Sequence, residues 1–548
     1  MINTLPKAQL ILGYKEVFKR DPPADRLSLV AHICKRNLIT ELAALNYRLK
    51  PKTSKYQDTS LSTQADELRY FCGGNDNLLR FYSKIASFYT KDKSNYPLIF
   101  TRQTCLFGIE EVLASNLEVI DDFSMTSSGD WESLLKFIFA INTEITNIDE
   151  EGENEPVSFE TLNPKLIPLN ELSLDTDPFN IPFRGYKLME YLQNHHELSE
   201  HLTAYLDKTY GVSFDYLVYE TLGMYLANKH EVSQFDFYYN VKPTAIKLFE
   251  ILSQRLETSD IPKLLGIRKY PFYKSSKYEF ILIDNILLLE KLYSQFINDF
   301  WFDYIKPIAD WNIKKYRAVI GYFFESYVRE IINHSFSNTK HYVVRQFDEL
   351  IINFKGNKIE VADLYIRYNS KIILGQVKST SIYDNEKYGG NIDILYKNDR
   401  NKFFETFGVN QVVQSISILN ETMSALDNKF PFNKSLQLFP IIIFNEKALQ
   451  TPLMAEIFQN RFLELMKDFK SNKIQIHPLS LIHVGDLETI QDLLHENPNK
   501  IWEMIKYHYR HPKFMPPFYN SINRLDIRPN YQRTMSLYEE LVPKFSEK

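Results

Sequence analysis

The sequence predicts an α+β multidomain protein, with a largely α-helical N-terminal region followed by an α/β domain in which helices flank a mixed sheet. Three observations lead there. Over roughly the first 310 residues apolar positions recur at spacings of three and four, as on amphipathic helices. From about residue 312 short apolar or alternating runs interleave with helical periods, the pattern of a sheet flanked by helices. An acidic, proline-bearing stretch at about 148–185, "IDEEGENEPVSFETLNPKLIPLNELSLDTDPFNIP", divides the helical part. The expected organisation is a helical domain at 1–150, a mainly helical middle domain at 151–310, the α/β domain at 311–510, and a tail at 511–548 packed on it.

Composition narrows the classes. In 548 residues, 44% hydrophobic and 24% charged, there is apolar material for large cores, so disorder is excluded as the main state. The net charge is −5, and a pI of about 6.2 gives no global basic field for nucleic acid, so any such surface has to be local. Three cysteines, Cys34, Cys72 and Cys105, lie far apart with no CxxC pair, which argues against a zinc knuckle or a disulfide framework and for a reducing compartment. No signal-type h-region and no apolar run near the length of a membrane span is present, so a cytoplasmic protein without a membrane partner is expected. Neither a GxxxxGK[ST] loop nor a GxGxxG turn supports nucleotide chemistry.

The elements follow in order. "DRLSLVAHICKRNLITELAALNYRL" and the Ser/Thr-capped "TSLSTQADELRYF" read as helices, with a turn at Cys72-Gly73-Gly74. Helical periods resume in "GYKLMEYLQNHHELSEHLTAYL" and "NVKPTAIKLFEILSQRLE". His195 and His196 are adjacent, cannot share a helix face, and read as surface residues. The strand "KYEFILI" leads into "NILLLEKLYSQFINDFWFDYI", whose aromatic density reads as core in preference to a base-stacking surface. Beyond 312 come a helix ("RAVIGYFFESYVREIINHSF"), strands ("HYVVRQF", "ELIINF", "KIEVADLYIRY", "KIILGQVKST"), a loop, a helix ("RNKFFETFGVNQVVQSISILNE"), a strand ("LFPIIIFN"), a helix, and a last strand ("KIQIHPLSLIHV").

One constellation carries chemistry. In a strand, residues two apart share a face, so Gln376 and Lys378 point together, while Gly375 and Val377 point the other way. Asp363 sits among apolar neighbours on the preceding strand, where an unpaired carboxylate is expensive to bury. A hairpin through "RYNSKI" brings the two sets together. Asp363 would then be a direct ligand to a hard divalent cation, Gln376 and the Val377 carbonyl would add neutral oxygens, and Lys378 would orient or deprotonate a water. Glu325, on the preceding helix, supplies a second carboxylate.

Helix-Glu, strand-Asp and strand-Gln-x-Lys in this order resemble the PD-(D/E)XK, or restriction-endonuclease-like, superfamily over about 315–490. The resemblance implies an αβββαβ core, Mg2+ (or Mn2+) as cofactor, and hydrolysis of DNA phosphodiesters, with RNA as the less favoured substrate. Ala362 stands where the motif has proline, and Gln376 where it usually has an acid. Gln411, on the following helix, matches a polar position that superfamily members place near the site or the DNA. The basic loop after the catalytic strand offers Lys387, Lys397 and Arg400 as phosphate contacts, and Lys314, Lys315 and Arg317 a second patch. The architecture is similar to restriction and anti-phage effectors, which makes the helical region a recognition or partner-binding module. Cutting both strands needs two sites, so a homodimer or a partner protein of a defence complex is the expected companion. A catalytically silent nuclease-like fold, used for nucleic-acid binding or assembly, is the alternative.

Overall fold

The computed structural model describes residues 11–49, 60–72, 83, 85–87, 96–117, 127–146, 171–172, 179–227, 237–243, 246–253, 264–308, 310–382, 387, 400–427, 435–471, 473–510, 515–524 and 532–545. The chain is mixed α/β, and it divides into two compact units. Unit 1 comprises residues 1–153, 177–307 and 532–548; unit 2 comprises 154–176 and 308–531.

Unit 1 is mainly helical. The helices Lys35–Arg48, Arg102–Ala114 and Ser128–Thr146 pack around Leu38, Leu42, Leu45, Leu106, Ile109 and Ile138. The first begins at Lys35 rather than near Asp25, because Arg26–Leu29 forms a separate 3-10 turn capped by Asp25. A fully buried ion pair, Arg102 with Asp284, is satisfied further by Asn46 and by the N–H groups of Ile286 and Leu287. Three short strands, β1 (Tyr238–Asn240), β2 (Phe272–Lys274) and β3 (Glu279–Leu282), form an antiparallel sheet in the order β1-β3-β2, of which only the last was legible. Phe296, Phe300, Trp301, Tyr304 and Ile305 are buried and Phe302 is exposed, so the aromatic run is core as expected except at Phe302. The tail divides between the units. Met515 joins the core of unit 2, whereas the helix Gln532–Phe545 belongs to unit 1, where Thr534 donates to the Phe179 carbonyl at 2.6 Å and Tyr538 stacks on Tyr219. Its apolar stripe, Leu537 and Leu541, finds its partners there.

Unit 2 is built on a six-stranded mixed sheet. The strands are β4 (Tyr342–Gln346), β7 (Leu364–Tyr368), β8 (Lys371–Lys378), β9 (Leu436–Phe444), β10 (Ile474–Ile476) and β11 (Ser480–His483). The path runs β10-β9-β8-β7-β4, with β11 also pairing β9. β4, β7 and β8 are antiparallel neighbours; β8, β9, β10 and β11 are parallel to one another where they pair. Between β4 and β7 a separate ribbon, β5 (Ile351–Phe354) with β6 (Asn357–Glu360), turns through Lys355 and Gly356, both at positive φ. The expected single strand "KIEVADLYIRY" is therefore broken at Val361–Asp363, and "KIQIHPLSLIHV" is broken around Pro478, which has no N–H for a ladder.

The long helix Ile313–Phe336 is capped by Asn312 and buries Tyr316, Val319, Ile320, Phe323, Phe324, Tyr327 and Val328 at helical spacing. It packs on the helix Val484–Glu496 and reaches β4 and β8. The helix Val409–Leu426 supplies the crossover between the parallel strands β8 and β9 and lays Val412, Ile416, Leu419 and Met423 into a core with Tyr365, Ile372, Leu374, Leu438 and Ile442. The expected helix "RNKFFETFGVNQVVQSISILNE" is interrupted before it by Gly408, at φ +87°.

Candidate functional site

The turn between β7 and β8 is two residues, Asn369 and Ser370, with Asn369 at φ +53°. Asparagine tolerates this left-handed conformation, which two-residue hairpins require. The register that follows pairs Leu364 with Gly375, so Asp363 and Gln376 lie just past the last pair of the ladder. The Asp363 N–H still reaches the Gly375 carbonyl at 3.0 Å, and its Oδ2 accepts the Val377 N–H at 2.7 Å. Asp363 thus caps the open end of its own hairpin. Because Lys378 presents its carbonyl to Asn445 on the β9 side, strand alternation turns the Val377 carbonyl toward Asp363.

Lys378 Nζ lies 3.7 Å from Asp363 Oδ2. Burial pushes the Asp363 carboxyl up from its usual range, and the charge of Lys378 and the Val377 N–H pull against that rise. Gln376 and Lys378 share the face turned to Gly408: a Cβ there would stand 2.9 Å from Lys378 Cε and 3.5 Å from Gln376 Cβ. Gly375 faces oppositely, against Ile441. The Gln376 amide donates to Ser415 Oγ at 3.2 Å, and that hydroxyl gives its proton to the Gln411 carbonyl at 2.8 Å. A hydroxyl that has used its one proton can only accept, so the amide is fixed with nitrogen toward Ser415 and has its Oε1 left over as an acceptor.

The sheet end is the floor of a cleft of about 680 Å3. Two helical stripes wall it, each at i, i+3, i+4 and i+7: Tyr322, Glu325, Ser326 and Arg329 on the long helix, and Gln411, Gln414, Ser415 and Ile418 on the crossover helix. Phe347, Asp348, Ile351 and Glu360 close the remaining side. Arg329 lies over the Phe347 ring at 5.0 Å and 3.7 Å from Asp348. Phe347 itself holds φ +49°, an unfavourable conformation for a bulky side chain, and its N–H donates to the Asp363 carbonyl at 3.0 Å.

Of the residues singled out in the sequence, Glu325, Asp363, Gln376, Lys378 and Gln411 all line this one cleft. Sequence reasoning missed Glu360, Arg329 and Tyr322. Glu360 stands three residues before Asp363 in "EVAD", and the signal was an acid at the end of an otherwise apolar-alternating run. The Glu325 carboxyl is pushed up by burial and then by the charges of Asp363 and Glu360, with Lys378 and Arg329 opposing. Glu360 is likewise raised, by burial first and by Asp363 next.

The expected phosphate contacts fare differently. Lys387 is buried, with Nζ 2.8 Å from Glu171 Oε2 and 2.7 Å from Glu446 Oε1, so its charge is matched inside unit 2 and does not face a ligand. A basic loop read from composition gave no sign of those two partners, 216 and 59 residues away. Lys397 lies outside the described residues, and Arg400 opens the short helix Arg400–Thr406. Lys314, Lys315 and Arg317 are exposed but do not line the cleft; Lys315 lies over Trp311 at 4.3 Å.

The donor set suits a hard cation. Four carboxylates (Glu325, Asp348, Glu360, Asp363) face two cations (Arg329, Lys378), a formal charge of −2 that a divalent ion would neutralise. Among the described residues no three His, Cys, Asp or Glu side chains stand together at metal-holding spacing. Mg2+ does not require such a cage, since it is commonly held by one or two carboxylates with neutral oxygens, water and substrate phosphate. Among the described residues no helix is long and apolar enough to cross a membrane. Comparison with known proteins yields no matching family model, no similar curated protein and no similar solved structure.

Proposed function

We propose that the chain is a metal-dependent phosphodiesterase of the PD-(D/E)XK class acting on DNA, an endonuclease effector of a bacterial restriction or anti-phage system, with unit 1 serving recognition or partner binding. The observation that carries this reading is the meeting of Asp363 and Lys378 around the Val377 peptide at the open end of β7 and β8, with Glu325 delivered to the same cleft by a separate helix. The defence role rests on architectural resemblance alone.

Each side chain has a task in that chemistry. Asp363, Glu325 and the Val377 carbonyl would hold Mg2+ or Mn2+, which lowers the pKa of an attacking water and stabilises charge on the phosphate. The Val377 N–H fixes one Asp363 oxygen, leaving the other for coordination. Lys378, beside that carboxylate, orients the water and offsets charge on the phosphate. Gln376 contributes an uncharged oxygen whose direction is set by Ser415. Arg329 offers the cleft a second cation for a phosphate oxygen.

Plasmid DNA incubated with the protein in Mg2+, Mn2+ or EDTA tests the reading. Metal-dependent nicking or linearisation, abolished in Asp363→Ala and Lys378→Ala variants that remain folded, is the expected result. A labelled RNA in the same assay separates the two polynucleotides. The uncharged amide of Gln376, where an acid is usual, favours one alternative: a silent nuclease-like module that binds nucleic acid without metal. It predicts metal-independent binding indifferent to Asp363→Ala.

A further inference from the structure

We propose that the cleft accepts an unpaired nucleotide with its base stacked on Tyr322, so that the strand acted on is single-stranded or locally opened DNA and not intact duplex. This narrows the substrate of the phosphodiesterase reading and rests on it.

Tyr322 is 65% exposed, the most exposed of the large hydrophobic side chains among the described residues. It has no ring contact, hydrogen bond or ion pair with any described residue, so its face is open. A single exposed aromatic is ordinary; its position is what matters here. Tyr322 stands one helical turn from Glu325 on the stripe that walls the cleft, within reach of a base adjoining a phosphate held at Asp363 and Lys378. Across the opening, Ile351 on the β5–β6 ribbon is 45% exposed and lines the same cleft. Two of the few exposed large apolar side chains therefore converge on one site. Ser326, Gln411 and Gln414 add hydrogen-bonding groups for a base edge.

Charge and size point the same way. With four carboxylates against two cations, the cleft cannot hold a polyanion by phosphate contacts alone, even after one divalent cation is added. Base stacking supplies affinity without ionic attraction and without sequence preference. A volume of about 680 Å3 falls in the range that encloses one small ligand, and it accommodates a nucleotide. In a duplex the base faces are hidden in the stack, so they reach an aromatic wall only after opening.

The test uses the full chain and one 20-nucleotide DNA, offered single-stranded and as duplex. Binding is read by fluorescence anisotropy in Ca2+, and cleavage in Mn2+. Single strand is expected to bind and be cut at least tenfold better than duplex. Tyr322→Ala should weaken single-strand binding roughly five- to a hundredfold, with Tyr322→Trp retaining it. Because Tyr322 is exposed, an unchanged melting temperature will show that the alanine variant is folded. Single strand bound and cut by Tyr322→Ala as well as by the wild type, or duplex cut as fast as single strand, would overturn the stacking proposal and leave the nuclease reading standing. Single strand bound through Tyr322 but never cut would support stacking and remove catalysis. Absence of both binding and cutting in any metal would overturn both.

Discussion

Asp363 was legible as an anomaly, a carboxylate in an apolar strand, and the structure supplies its compensation in the Val377 N–H and Lys378. Gln376 was legible as a departure, but the reason it is oriented was not, because Ser415 is 39 residues away. Replacing Ser415 by alanine removes the acceptor that fixes the amide. Outer-shell losses of this kind cost about ten- to a hundredfold, so Mn2+ affinity measured by calorimetry should fall by that order in Ser415→Ala. Glu325 and Glu360 give a prediction of opposite texture. Both are raised by burial and by the neighbouring carboxylates, so protons compete with the metal above the ordinary carboxylate range. Mn2+ affinity should therefore rise with pH through that range, and Glu360→Gln should shift the rise to lower pH by relieving Glu325. A folded Glu325→Ala variant that cleaves normally would remove this glutamate from the site.

At the scale of elements, helical and strand periods gave the succession after residue 312, while the breaks came from single residues. Gly408 is such a break. Its φ of +87° is one that L side chains rarely adopt, and a Cβ would press on Lys378. Gly408→Ala should cost about 1–3 kcal/mol of stability, seen as a lowered melting temperature, and should depress cleavage beyond that by displacing the lysine. The start of the helix Val484–Glu496 carries a second test. Asp486 accepts from the His483 N–H and from Gln450, and burial raises its carboxyl to about 7. A raised carboxyl binds its proton more tightly in the folded chain than in the unfolded one. Stability therefore falls as pH climbs from about 4 to about 7 and levels off above. Asp486→Asn should flatten that slope, by an amount on the order of 4 kcal/mol across the interval, in denaturation curves taken at several pH values.

For the whole molecule, composition bounded a large, core-forming chain and periodicity its mixed α/β character, but neither showed how its segments are shared. Within the acidic stretch around 148–185, Glu171 pairs with Lys387 of unit 2. Local patterning cannot disclose that, because membership is decided by pairings far apart in the chain. The last helix, Gln532–Phe545, likewise looked like a tail for the preceding domain and instead completes the first.

The buried Glu171–Lys387–Glu446 cluster gives this interleaving a consequence for biosynthesis. As the ribosome delivers the chain, Glu171 emerges more than 200 residues before the lysine that neutralises it. The final helix of unit 1 is translated only after unit 2, so neither unit can be finished in the order in which it is begun. A gene fragment starting at residue 308 would make unit 2 without Glu171 and so lack one carboxylate of the cluster. Lys387 would keep Glu446 as its partner, so what is lost is one hydrogen bond to a charged group, about 1.5–3 kcal/mol. Such a fragment should express with lower solubility than one to which residues 154–176 are restored, even when they are added as a separate peptide.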